Sequence, residues 1–563
     1  MKSDRGLMLR AFVTILLLIG LANISSCKWG NWDLMGGDST NQDDSGDGGD
    51  SGDGGNSGNG GNNGDGGNFN FPPAVFTAAR GGTKLNEPIE LFSSFEDGSQ
   101  INDLTGIINR VNDGDVFKVS PDGTLVAYLT NENNGRFELF VVPVDDGTST
   151  RISPPSSVDG NVTEFEWSPD GTRIAYLADL TIDERFELYT NLAEGDSNLK
   201  VSGTLPVGGQ VIVFEWSPDS QLLAYAADQN NLGEFELFST PPTEQNPVQV
   251  SVTFIPNNGN VLGFAWSPDP DSSRIAYLSN QRLSGLNELY TNLPTGGDNT
   301  NISAGDNVVD FAWAPEEPTE QLAYATERQI FSVLQDGSSR TPLTPGLTVG
   351  GSISEFAWAP DNSRIAYRAD QDSAGVVELY TNTPDNSDNR RVSGELTTTG
   401  TVTDFVWAPN SNFIAYRANQ DVAVNFELYV TSPDGSSGDT KVSGSDMAGS
   451  VEPEFAWSPD SARVAYLADQ RTADAIELFT STPDGQSNDR ISDNLPDGGI
   501  VEEFVWAPDN SGIGYIADQE GFGVFELFAS LPDGGETTTL SGSIASAGDV
   551  LFFEWVPEPD LEN

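Results

Sequence analysis

An aromatic pair, Phe-x-Trp, recurs along most of the chain at a near-constant interval, and this recurrence limits the fold more than any other feature. It stands at Phe165/Trp167, Phe214/Trp216, Phe264/Trp266, Phe311/Trp313, Phe356/Trp358, Phe405/Trp407, Phe455/Trp457, Phe504/Trp506 and Phe553/Trp555, with Phe117/Val119 as a variant. From Val119 onward, successive positions lie 45 to 50 residues apart. A fixed period of this length means one supersecondary unit repeated, each copy unable to bury its apolar face alone. A chain of 563 residues would ordinarily divide into several domains, but an array grows without starting new cores.

Every unit has the same internal grammar. The aromatic pair is followed by Ser or Ala, then Pro, then usually Asp, as in Ser168-Pro169-Asp170-Gly171. Proline ends a strand ladder and presets a turn, and Asp and Gly suit the turn positions after it. A second strand has an Ala-Tyr core, as at Ala175-Tyr176 and Ala366-Tyr367. A polar loop follows, then a third strand reading Glu-Leu-Tyr or Glu-Leu-Phe, and a brief fourth at Lys200–Gly203 and Arg391–Gly394. Four β-rich segments with turn residues at each joint describe one propeller blade, here strands A to D. The Phe-x-Trp residues alternate at period two in a strand packed between neighbours, so they read as core rather than as a ligand platform.

The run Phe165-Glu166-Trp167-Ser168-Pro169-Asp170-Gly171-Thr172-Arg173-Ile174-Ala175-Tyr176 resembles the TolB-type WD40-like propeller repeat, which also occurs in tricorn-like and prolyl-peptidase propellers. The likeness covers residues 72–563 and implies an all-β propeller, while leaving function open, because this repeat serves many roles. Neither the α/β domain of TolB nor the Ser-His-Asp hydrolase domain of the peptidases can be read in these residues.

The ends complement each other. Val75-Phe76 resembles strand B, Glu90-Leu91-Phe92 strand C and Asp103–Gly106 strand D, while Phe553-Glu554-Trp555 supplies a strand A. Nine complete units and one composite make ten blades, closed by the N- and C-terminal strands, and closure removes open sheet edges. Two smaller rings are the alternative, since ten exceeds the usual four to eight. The unit beginning at Trp313 is irregular, with Ile330-Phe331-Ser332 in place of Glu-Leu-Tyr.

Composition narrows the chemistry. With 26 basic and 85 acidic residues the net charge is −59, a field that repels nucleic acid and favours basic partners or a salty exterior. Histidine is absent and Cys27 is the single cysteine. Ser-His-Asp and Cys-His catalysis, His-ligated zinc and disulfide frameworks are therefore excluded. No P-loop or G-x-G-x-x-G motif follows a strand, so no cofactor is expected.

Residues 1–26 read as a signal peptide, with Lys2, Arg5 and Arg10 ahead of an apolar run from Ala11 to Leu21. As a helix that run would rise only ~16 Å, too short for a ~30 Å hydrocarbon core. Ile24-Ser25-Ser26-Cys27 resembles a bacterial lipobox, which implies acylation of Cys27 and anchoring by two or three chains. Lys28 after the cysteine resembles an outer-membrane address, placing the chain in the cell envelope. Residues 27–68 form a tether, because the Gly, Asp, Asn and Ser of 36–68 cannot bury apolar area against the entropy of ordering. A Gly-rich coil of that length reaches roughly 30 Å. The propeller then occupies 69–563.

Two sets of carboxylates invite a chemical reading. Strand C repeats Glu138, Glu187, Glu236, Glu288, Glu378, Glu427, Glu477 and Glu526. A catalytic acid should break the repeat rather than obey it, so these read as structural, bonded to a neighbouring blade or to an Arg such as Arg173 or Arg364. The B–C loops carry Asp179, Asp228, Asp370 with Asp372, Asp469 and Asp518. These are suitable Ca²⁺ ligands, but also what any hairpin uses. The sialidase Asp box is not matched. The reading is a non-catalytic scaffold binding a protein or envelope ligand, with no catalytic, metal or cofactor residues. A carboxylate-dependent enzyme on saccharides is the alternative. An off-repeat Asp/Glu cluster at one mouth of the channel would favour the enzyme, and the polar loops read as uniform. For the anchor, Cys27→Ser is expected to abolish labelling by a palmitate analogue and release the chain from the membrane fraction. Unchanged labelling would overturn the lipobox reading.

Overall fold

The computed structural model describes residues 71–557 apart from 80–88, 96–97, 99, 106–116, 132–134, 146, 253–258, 284, 317–319, 398, 445–448, 472–474 and 543–548. The proposed signal peptide, Cys27 and the tether lie outside the described residues. Forty strands form ten four-stranded antiparallel sheets, and no α-helix occurs among the described residues. The protein is a ten-bladed β-propeller. Numbering the composite blade 1 makes the Phe117 unit blade 2 and the Phe504 unit blade 10.

Blade 3 shows how the repeat folds. Its strands are Val162–Trp167, Arg173–Ala178, Glu187–Leu192 and Leu199–Lys200, in sheet order A-B-C-D. The A–B turn is made by Asp170, whose carboxylate accepts the Thr172 N–H at 3.0 Å. The fourth turn residue has positive φ, which Gly171 adopts freely and Ser220 and Asn510 adopt in other blades. Those side chains are then free to act between blades: the Ser220 hydroxyl accepts the Asp170 N–H of the preceding blade at 3.0 Å.

The strand B aromatic stacks on a strand C aromatic in all ten blades, with ring centroids 5.1 to 5.8 Å apart. Cross-strand aromatic pairs of this kind hold register as well as burying area. Strand D is shorter and earlier than the sequence reading placed it, ending at Lys200 and Arg391. Its physical reason is the following Ser: Ser202 and Ser393 accept the Leu188 and Leu379 N–H at 3.1 Å, replacing the ladder bond a longer strand would make.

Ten hydrophobic clusters lie one at each junction between successive blades. Phe165, Trp167 and Tyr176 pack on Ala127 and Leu139 of the blade before, and the pattern continues around the chain. At the ends, Val550–Trp555 pairs antiparallel with Ala74–Ala79, matching Phe76 to Phe553 and Ala74 to Trp555. Blade 1 therefore packs on blade 10 through Phe553 and Trp555, and on blade 2 through Val75 and Val556. This is one closed ring, not two smaller ones. The closing junction is fitted for the purpose. A Cβ on Gly514, where other blades carry Ala, would lie 2.6 Å from the Trp555 ring, and one on Gly123 would lie 2.2 Å from the Pro557 carbonyl oxygen.

Strand direction sets the two faces. A–B and C–D turns lie on one, B–C loops and D–A connectors on the other. Because Ala74 pairs with Trp555, both ends of the described chain emerge beside the A–B turns.

Deleting Asp549–Asn563 should expose both sides of blade 1 and remove two buried aromatics, each worth about 3–5 kcal/mol and together somewhat less than double. Urea melts should show a large drop in midpoint, comparable with the whole ~5–15 kcal/mol of a domain. Deleting Gly36–Gly66 should leave the midpoint unchanged. Equal midpoints for both deletions would contradict the closing role.

Candidate functional site

The repeated carboxylates are occupied in structure. Glu138, Glu187, Glu378, Glu427 and Glu477 pair with Arg151, Lys200, Arg391, Lys441 and Arg490, each on strand D of the same blade. Tyr189, Tyr290, Tyr380 and Tyr429 donate their hydroxyls to the Glu two residues before. The structural reading of these Glu side chains stands, but its partners are corrected. Arg364 instead binds Asp388 at 3.0 Å and the Thr381 hydroxyl at 3.2 Å. A base on strand D sits directly beside strand C, closer than any group of the next blade.

The B–C loop aspartates are fasteners too. Asp179, Asp228 and Asp518 each accept one N–H from the D–A connector (Asn161, Gln210, Ile500) and one from their own loop (Glu184, Gly233, Gly523). Asp370 does the same with Ser352 and Gly375. They sit on separate blades, and among the described residues no three Asp, Glu, His or Cys side chains group as a cation would require.

The inner rim is different. Strand A turns Phe and Trp toward the preceding blade, and every indole N–H of these pairs except that of Trp266 reaches from inner strand to inner strand: Trp167 donates to the Lys118 carbonyl at 3.1 Å and Trp555 to that of Val505 at 3.1 Å. The residue between Phe and Trp faces the other way and stays in contact with solvent. A bulge early in the strand, at Val162/Glu164 and its equivalents, also turns out the residue before Phe. A ring of ten blades is wide, so these positions line its central channel.

Between Phe and Trp, six consecutive blades carry Ala265, Ala312, Ala357, Val406, Ala456 and Val505. The other four, contiguous around the closed ring, carry Glu554, Lys118, Glu166 and Glu215. Lys118 is ion-paired with Glu166 and lies 5.9 Å from the Phe165 ring centroid. Glu554 accepts the Val119 N–H at 2.9 Å across the closing junction. Glu164 and Glu215 are open to water but hemmed by channel wall on most sides. Burial, aided by the charge of Glu166 and opposed by Lys118, pushes Glu164 up to about 7. Burial and Glu166 push Glu215 up to about 8. On the far side, Glu355 is paired with Arg368 at 2.8 Å and Asp404 with Arg417 at 3.6 Å.

Uniformity thus holds for the loops and fails on the channel wall, where an off-repeat acidic group occupies one arc. The substitution pattern was visible in the sequence. What hid it was the expectation that both sides of strand A are covered by neighbouring blades.

No family model matches the chain, and no curated protein matches it in sequence. Among solved structures, the chain is similar to Porphyromonas gingivalis dipeptidyl peptidase 4 at 14% identity and a TM-score of 0.46, over 72% of this chain and 64% of that one. It is similar to a GH74 xyloglucanase from Xanthomonas campestris at 15% identity and 0.31, over 83% and 70%. TolB from Acinetobacter baumannii is similar at 15% identity and 0.26, over 50% and 65%. The chain spans less than two thirds of the first and last of these. Scores this low attach neither an activity nor a ligand to it.

The raised carboxyls predict a pH effect with a definite sign. The folded chain holds protons on Glu164 and Glu215 that the unfolded chain, titrating near 4.5, has released, so their contribution to stability falls as pH rises from about 4.5 through 8. The Glu164→Gln/Glu215→Gln double variant should match the parent at pH 4 and be more stable at pH 8 in urea melts. A constant offset across that range would contradict the assignment.

Proposed function

We propose that this protein is a lipid-tethered ring of the cell envelope that holds an envelope ligand inside its channel without acting on it chemically. The carrying observation is the division of labour among its polar groups: most of the repeated Glu and Asp side chains are engaged within and between strands and loops, whereas one arc of the inner wall departs from the repeat with charged side chains. Selection for a ligand acts where the repeat is broken. Acylation at Cys27 with a tether through residue 68 would attach the ring by the face bearing the A–B turns, leaving the other mouth turned away from the anchoring membrane. The high negative charge speeds encounter with a basic partner and discourages nucleic acid.

A second reading is supported by one specific observation. Two carboxyls raised to about 7 and 8 stand near a third, Glu166, that is ion-paired with Lys118, and grouped carboxyls that hold protons near neutral pH are the equipment of acid–base hydrolysis of glycosides.

One comparison separates the two. Full-length chain is incubated with solubilised native envelope, beside an Ala357→Trp/Val406→Trp variant that narrows the channel. Capture by the parent and loss in the variant supports a channel ligand; equal capture would move the site to the outer surface. Turnover on a glycoside panel that disappears in Glu215→Gln would replace binding by catalysis.

A further inference from the structure

The exposed apolar side chains are distributed unevenly over the two faces of the ring. Among the described residues thirteen large apolar side chains are exposed, and eleven of them lie in B–C loops or D–A connectors, on the face opposite the chain ends. Phe95 in a C–D turn and Val248 on an outer strand are the exceptions. Single apolar residues scattered over a surface need no explanation, but a set gathered on one face does. Six of the eleven follow one another along blades 3 to 5 and their connectors: Ile182, Val207, Leu232, Val252, Leu283 and Val309. Val207 is 93% exposed, and Leu232 and Leu283 are each 61% exposed.

These six stand on segments tied together by hydrogen bonds. The Val211 N–H donates to the Phe186 carbonyl at 2.9 Å and the Gln210 N–H to the Asp228 carboxylate at 2.6 Å, which fixes the Val207 connector to the loops carrying Ile182 and Leu232. Asn260 does the same between blades 4 and 5. Its side chain accepts the Phe235 N–H at 2.8 Å, and its own N–H donates to the Asn280 side chain at 2.7 Å. The Val308 N–H completes the arc on the Asn287 carbonyl at 2.8 Å. Val207 and Leu232 stand side by side, since a Cβ on the adjoining Gly208 would lie 3.8 Å from Leu232 Cδ1. The fold does not demand apolar residues here. Pro206-Val207-Gly208-Gly209 and Pro496-Asp497-Gly498-Gly499 make the same turn, closed by the last Gly N–H on the Pro carbonyl at 3.0 and 2.8 Å, and Asp497 serves where Val207 stands. In blade 7, Ser373 and Ala374 form the B–C loop tip at the positions of Asn231 and Leu232.

We propose that this arc is a docking surface for a basic, amphipathic segment of another protein. Apolar tips that the fold does not require gain free energy only when they are covered. Charge selects the occupant. Arg185 and Arg282 on the arc are taken up by Glu187 and Glu288 of strand C, which leaves the carboxylates of Asp183, Glu184 and Glu234 to set its sign. A second copy of the chain would bring the same charges against them. The net charge of −59 opposes both that pairing and an anionic lipid surface. Basic residues flanking an apolar stripe satisfy tips and carboxylates together, as in interfaces with an apolar centre and a polar rim. The surface is separate from the channel wall, and its occupant does not depend on what the channel holds.

The full-length chain is titrated with two dye-labelled peptides of equal length, an amphipathic Leu/Lys helix and an all-Lys chain, and binding is read by fluorescence anisotropy. The amphipathic peptide should bind with a Kd below about 100 μM, more tightly than the all-Lys peptide. Val207→Ser/Leu232→Ser, at two exposed tips, should weaken it about tenfold with melting temperature unchanged. Val349→Ser, on the same face but outside the arc, should leave it intact. Equal binding of the two peptides, or binding indifferent to Val207→Ser/Leu232→Ser, would overturn the arc as the site. Co-sedimentation with phosphatidylcholine vesicles that the double variant loses, without preference for the amphipathic peptide, would replace the polypeptide by a lipid surface. A dimer in analytical ultracentrifugation that the double variant dissolves would replace it by a second copy of the chain. No binding of the amphipathic peptide would refute the proposal.

Discussion

The pairing of Val550–Trp555 with Ala74–Ala79 turns a linear array into a ring, and the rest of the molecule depends on it. Each blade has two apolar faces, and a blade interior to the array covers both with neighbours. At the ends of an open array one face on each side would meet water, together with a free strand edge. Splitting a single blade between the two ends of the chain solves both problems with ordinary strand hydrogen bonds. The fit at that junction is more demanding than elsewhere. Gly514 stands in for the usual Ala so that Trp555 and Phe553 can approach, and Phe71 packs where Gly512 leaves space.

Within the ring, a small set of interactions is used repeatedly. One stacked aromatic pair sets the B–C register, one Ser or Thr hydroxyl ends strand D, and one indole ties successive inner strands. A strongly acidic chain can fold this way because many of its carboxylates are engaged locally. The strand C glutamates meet a base or amide thirteen or so residues later, as Glu187 meets Lys200 and Glu236 meets Gln249. The loop aspartates accept backbone N–H groups from two segments and so fasten each B–C loop to the neighbouring connector.

The inner rim follows a different logic. It stands at the margin of the blade-to-blade core, where Ala312, Val406 and Val505 pack against the junction clusters while staying partly open to solvent, so its side chains can vary more than those of Phe and Trp. One arc is small and apolar; the other places Glu554, Lys118, Glu166 and Glu215 on four successive blades. Desolvation on the channel wall, with the like charge of Glu166 adding to it, explains why Glu164 and Glu215 hold protons well above the ordinary carboxylate range. Such a wall is unfavourable to its own folded state, and groups kept in that condition concentrate at functional sites.

The blade, its repeat number and the complementarity of the chain ends were all legible from sequence, because period, turn residues and strand alternation are local properties. Val75-Phe76 and Phe553–Trp555 could be matched as parts of one blade from their resemblance to the other units alone. Local pattern also identified the strand C glutamates as structural, but not their partners, since Lys200 and Arg173 are both plausible until the strands are laid side by side. The channel site was written in the same letters and went unread. Glu166 and Glu215 differ plainly from Ala265 and Ala312, yet whether that position faces a neighbouring blade or open water depends on how many blades close the ring and how far apart their inner strands stand. The missing hydrogen bond of Trp266 is further still from local pattern, since its motif is the same as that of eight others that make the bond. The sequence by itself determined what each blade is; only the closed tertiary structure decided which residues the ring leaves facing its centre, because exposure there is set by the spacing of distant segments rather than by any residue's neighbours in the chain.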